Sequence, residues 1–177
     1  MAIRDSVVEW AIWESNYGSW KPSAEEMQTF FSTAGLNPPS TSQASYSLEN
    51  RSSGISMGGI VIHWCGIFAT YVLKHWGGLD VKWIAGSGMS GSGVVRRSGF
   101  QGIVPGDVAW IRGKANPSGQ YAWHHFIVTD IDYSSNYLES VDGNSTNNSI
   151  VWHDKQVQYY GYDAADKQIW GYYHLNA

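Results

Sequence analysis

Cys65 is the only cysteine in the 177-residue chain, so any thiol chemistry must run through it. It lies in the stretch Ile62-His63-Trp64-Cys65-Gly66-Ile67-Phe68-Ala69-Thr70-Tyr71-Val72-Leu73. Phe68, Ala69, Val72 and Trp76 follow it at helical spacing for one buried face. Gly77-Gly78 then supplies a stop that suits a left-handed C-terminal cap. The spacing predicts a buried helix with Cys65 in its first turn. Unpaired N–H groups and the positive end of the helix dipole lie there. A thiol so placed ionises below its free value of about 8.5, and the thiolate is the reactive species. Gly66 leaves the backbone beside the sulfur open to a close-approaching group. A free cysteine is equally at home as a small core residue, so the helix alone does not decide between the two roles.

A cysteine nucleophile needs a base, and the base needs a third group to orient its ring. Six histidines are available. His63 is too close to Cys65 in sequence. His75 is at the far end of the same helix, about 15 Å away at 1.5 Å per residue. His153 and His174 fall near strand ends with no clear partner. His124 and His125 begin an apolar strand, and because successive strand side chains alternate in direction, only one of them is expected to look into a given site. Asp142 and Asn144 begin the corner after the next strand. In an antiparallel meander that corner returns to where the histidine strand began, and either residue can accept an imidazole N–H and fix the tautomer.

The elements that must position these groups can be read along the chain. Residues 3 to 17 have a helical pattern closed by Gly18. Ser23 and Glu26 have capping-box spacing for a second helix carrying Met27, Phe30 and Phe31 and ending at Gly35. Asn37-Pro38-Pro39-Ser40 opens a polar loop to about Gly54. After the cysteine helix, Val81 to Ile84 is extended. Gly86-Ser87-Gly88-Met89-Ser90-Gly91 matches G-x-G-x-x-G in form, but no helix or second acidic strand follows, so the segment to Gly102 is expected to be a mobile loop beside the groove, not a nucleotide cradle. Pro105-Gly106-Asp107 is a turn. Strands are expected at Val108–Ile111, Ala122–Asp132, Leu138–Val141, Ile150–Trp152 and Ile169–Tyr173, with a loop from Gly113 to Gly119 and a tyrosine-rich connection before the last strand. Helices first and strands after argue for an α+β fold with an antiparallel sheet or open barrel.

Trp64-Cys65-Gly66-Ile67-Phe68, Pro105-Gly106-Asp107-Val108-Ala109-Trp110, His124-His125-Phe126-Ile127-Val128 and Val141-Asp142-Gly143-Asn144 occur in that order. Together they resemble the blocks of CHAP domains, within the wider NlpC/P60-like, papain-like group of cysteine amidases and peptidases. The resemblance covers roughly residues 60 to 175; residues 1 to 54 would be a helical N-terminal extension of the same single domain, 1 to 177. It implies a papain-like fold, with N-terminal helices packed on the sheet, a helix-borne Cys65 nucleophile and a strand-borne histidine base. A His followed three residues later by an Ile-Val pair selects His124, with His125 the alternative if the register differs. The orienting position often held by Glu is Asp142 here, two residues before Asn144. Trp64, Gly66 and Trp110, inside these blocks, are the expected substrate contacts. The resemblance also implies cleavage of amide bonds in peptidoglycan, with no metal and no cofactor.

Composition bounds these readings. A net charge of -4 implies no basic surface for nucleic acid. A share of 43% hydrophobic against 15% charged residues is that of a globular chain. Ten Trp and 11 Tyr suit a dense core, or an aromatic groove for sugars or peptides. One cysteine excludes an internal disulfide and multi-cysteine zinc sites. The N-terminus, with Arg4, Asp5 and Glu9, lacks a signal-peptide pattern, and no apolar run is long enough for a bilayer. The expected protein is soluble, cytoplasmic or exported by a route without a signal peptide. Its expected partners are peptidoglycan or a peptide substrate and, for an effector, a cognate inhibitor or immunity protein. Two further readings share the sequence: a Cys-His deamidase or acyltransferase toxin acting on a protein, and a non-catalytic carbohydrate-binding module.

Overall fold

The computed structural model describes residues 2–50, 54–115, 121–135, 137–145, 148–157 and 168–177. Within them the chain is mixed α and β, with four helices and an antiparallel sheet that does not close. Helix α1 is Ile3–Glu14 and α2 is Ala24–Thr33, joined past the two-residue strand β1, Ser19–Trp20. The predicted box at α2 forms: Glu26 N–H donates to Ser23 Oγ at 3.1 Å and Ser23 N–H to Glu26 Oε2 at 2.7 Å.

The segment read as a polar loop after Asn37 contains a third helix, α3, Thr41–Glu49. Its signal is a second capping box, Ser40 with Gln43, which precedes too few apolar residues for periodicity to register. A hairpin of β2 (Ile55–Met57) and β3 (Ile60–Ile62) leads into α4, Trp64–His75. Gly78 caps the exit with φ of 65°, and Leu79 N–H bonds back to Leu73 O at 3.1 Å, as the double glycine predicts.

The glycine-rich stretch departs from expectation. It is not an unpaired loop. Strand β4 (Lys82–Ile84) pairs with β5 (Gly88–Ser90), and β6 (Val94–Ser98) joins the main sheet. The glycines permit close approaches there: a Cβ on Gly91 would lie 2.1 Å from the Asp80 carbonyl, and one on Gly88 2.3 Å from the Tyr173 hydroxyl.

The main sheet is completed by β7 (Val108–Ala115), β8 (Tyr121–Asp132), β9 (Tyr137–Asp142), β10 (Ile150–Val157) and β11 (Ile169–Leu175). Its order is β1-β10-β9-β8-β7-β11-β6, every pairing antiparallel. The loop expected from Gly113 begins later, since β7 runs to Ala115; residues 116–120 and most of the tyrosine-rich connection lie outside the described residues.

Two cores flank the sheet. On one face Val108, Trp110, Ile127, Val141 and Ile150 pack beneath α4 and the N-terminal helices. On the other, Ala109, Ile111, Phe126 and Val128 pack with Ile103, Leu138 and Tyr172. The N-terminal helices therefore share the core that carries α4. The turn residue Asp107, fully buried, ties the ends of the fold together. It accepts from Arg4 Nη1 at 2.7 Å, from His174 Nδ1 at 2.9 Å, and from the backbone N–H groups of Val104 and Leu175 at 3.1 and 3.2 Å. His174 thus has a partner that the sequence did not reveal. Among the described residues, no helix is long and apolar enough to cross a membrane.

Candidate active site

Cys65 is the second residue of α4 and is buried, with 3% of its surface exposed. His63, the N-cap, makes no side-chain capping bond, so no side chain at that position occupies the first-turn N–H groups. The sulfur faces the start of β8: Cys65 Sγ–H donates to the carbonyl of Trp123 at 3.8 Å.

His124 follows Trp123, and its Nε2–H donates to Asp142 Oδ2 at 2.7 Å. Asp142 is 1% exposed and is itself held: Ser140 Oγ–H donates to its Oδ1 at 2.5 Å, and His153 Nε2 lies 3.8 Å from Oδ2. His153 in turn shares a 3.1 Å hydrogen bond with Ser145 Oγ. With Nε2 taken by the carboxylate, Nδ1 is the atom His124 has for the thiol. Of the two candidate orienting residues, Asp142 is the one in contact with the imidazole; Asn144 forms the corner instead, in a left-handed conformation with φ of 54°.

The electrostatics follow from this chain of contacts. Burial pushes the Cys65 thiol up, but hydrogen bonds and positive charge from His124 and His125 outweigh it, and the thiol falls well below its ordinary value. Burial pulls the His124 imidazole down, while the hydrogen bond and charge of Asp142, and those of Cys65, raise it to about 10. Both shifts favour a thiolate facing an imidazolium.

His125 turns to the face opposite His124, as strand alternation predicts. It shares a face with Ile127, beneath α4, and it too acts on the thiol. Its ring meets Trp83 edge-on, with centroids 5.0 Å apart. Trp110 and Tyr173 complete an aromatic enclosure, and His125 is 9% exposed. His124 and His125 leave β8 on opposite faces, at its fourth and fifth residues, and both lower the thiol.

The expected substrate contacts need correction. Trp64 is fully buried and stacks against Phe30, so it anchors α4 to α2 and cannot touch a substrate. The space beside Gly66 is filled by the indole of Trp83; a Cβ there would lie 2.2 Å from that ring. Trp110 is 7% exposed and forms a wall of the His125 enclosure, with Arg96 5.1 Å above its ring. Trp123, whose carbonyl accepts from the thiol, and Trp170 are 43% and 39% exposed and meet edge to face at 6.1 Å. Sequence reading missed Ser140, His153 and Trp83. Ser140 was legible, being two residues before Asp142 and so on its face; His153 lies across the β10–β9 ladder from Ser140, and Trp83 comes from the separate β4–β5 hairpin.

Among the described residues no group of three or more His, Cys, Asp and Glu side chains is arranged to hold a metal ion. No family model, no curated protein and no solved structure matches the chain.

Proposed function

We propose that the protein is a papain-like cysteine hydrolase that cleaves amide bonds in peptidoglycan. The observation that carries the chemistry is the hydrogen bond of His124 to buried Asp142 at the part of β8 that faces Cys65, at the start of α4. The choice of peptidoglycan rests on the likeness of the four sequence blocks to CHAP and NlpC/P60-like domains. In this reading the thiolate adds to the amide carbonyl, and the N–H groups at the start of α4 hold the developing oxyanion. The His124 imidazolium then protonates the leaving amine. Water, deprotonated by the same imidazole, resolves the thioester.

The test is digestion of purified sacculi, with mass spectrometry of the released fragments. Wild type is expected to release peptide or disaccharide–peptide fragments and Cys65→Ser to release none. The fragment masses give the bond cleaved. Intact sacculi alongside a rapidly alkylated Cys65 would remove peptidoglycan as substrate and keep the nucleophile. That outcome would favour a protein-modifying Cys-His enzyme.

A further inference from the structure

We propose that His125 is a second catalytic imidazole, the side-chain donor that holds the oxyanion formed at Cys65, while His124 moves the proton. This rests on reading Cys65 as a nucleophile, but not on the identity of its substrate.

The two rings are built differently. His124 is tethered by a buried carboxylate, which fixes its tautomer and favours its charged form. Among the described residues no carboxylate hydrogen-bonds to His125; it is held by rings. Trp83 stands edge-on to it at 5.0 Å and 88°, Trp110 is opposite it across the β7–β8 ladder, and Tyr173 lies parallel at 6.3 Å. The same Trp83 indole rests on Gly66, the residue after the nucleophile. His125 and Gly66 thus lie against the same indole, which sets the His125 ring one side chain away from the first turn of α4. An imidazole fixed by aromatic packing, with little exposure, keeps a ring N–H aimed without reorganisation, as an oxyanion donor requires.

The step it would assist is defined. Cys65 Sγ forms a bond to the carbonyl carbon as the C=O π pair moves onto oxygen, and His125 N–H donates to that oxygen. Collapse restores C=O and expels the leaving group, as an amine protonated by His124 or, for an aryl ester, as the phenolate.

Two reagents separate this role from others. Iodoacetamide alkylates Cys65 by displacement, with no oxyanion; p-nitrophenyl acetate acylates it through one. Because His125 also lowers the thiol, both rates are compared at a pH where Cys65 is fully thiolate in each protein; in His125→Phe, which keeps the ring packing, acylation is then expected to fall about 100-fold, the usual loss for one oxyanion donor, while alkylation stays within a few fold. His125→Gln, which restores an N–H, is expected to recover part of the acylation rate. Parallel loss of both reactions would make His125 a second thiol-activating base and overturn the proposal. Equal rates in all folded variants would make it a packing residue, and would also overturn it. A wild-type Cys65 that is slow with both reagents sinks the nucleophile itself. Sacculi left intact while the acylation-to-alkylation ratio shifts as expected remove only the peptidoglycan reading. Circular dichroism verifies that each variant is folded.

Discussion

At the scale of single residues, the site is governed by one carboxylate. Asp142 is buried and donates nothing; it accepts from Ser140 and from His124. Its hydrogen bond to His124, reinforced by its charge, is the largest contribution raising His124 to about 10 against burial. In the proposed hydrolase the sign for turnover follows: thiolate and imidazolium coexist from the depressed value of Cys65 up to the raised value of His124. Asp142→Asn keeps the shape and removes the charge. The alkaline limb of the turnover profile is expected to move down from about 10 toward the ordinary histidine value of about 6.5. The maximal rate should fall at least 100-fold. Stability follows the same linkage. A histidine raised on folding contributes stability in full below its unfolded value of about 6.5, and that contribution is lost as pH rises through about 10. Cys65, depressed on folding, contributes above its unfolded value of about 8.5, and loses that contribution as pH falls through its folded value. Urea denaturation of wild type and Asp142→Asn across this range checks both signs: the variant should lose less stability between pH 6.5 and 10.

At the scale of elements, α4 is fixed to its surroundings by glycines that face bulky partners. Gly66 lies under Trp83, and a Cβ on Gly143 would approach Phe68 within 2.8 Å. Gly66→Ala must displace an indole that also walls His125. It is expected to cost about 1–3 kcal/mol, measured by urea denaturation, and to slow acylation of Cys65. These contacts explain what the sequence could and could not disclose. The helix of Cys65, its double-glycine stop and the strand beginning at His124 were legible, because each is written in local spacing. So was the Asp142 corner, because a meander returns its turns to one end of the sheet. The role of Gly66 was misread, because the indole that fills its space arrives from Trp83, on a different element. Alternation sends His124 and His125 to opposite faces of β8, as expected, but it does not tell that the thiol is coupled to both rings. Ser40 and Gln43 spelled out α3, but with few apolar residues behind them the box reads as ordinary loop polarity.

At the scale of the whole molecule, Asp107 joins α1 to the turn before β7 and to the last strand. Arg4 also donates to the carbonyls of Pro105 and Leu175, at 3.2 and 2.8 Å. Asp107→Ala would leave a guanidinium and two backbone N–H groups without their carboxylate. Breaking a buried pair in this way is expected to cost about 3–5 kcal/mol, read from the denaturation midpoint. Because none of these groups touches Cys65, the pH dependence of its alkylation should be unchanged in the folded variant. The strand that Asp107 grips has a further consequence. β11 is last in sequence yet interior in the sheet, between β7 and β6. During synthesis those two strands therefore wait with bare edges until residues 169–175 leave the ribosome. Tyr173, from that same strand, closes the enclosure of His125. A ribosome-bound chain thus carries Cys65 long before it carries a finished site, and the thiol gains its full setting only once residues 169–175 have emerged.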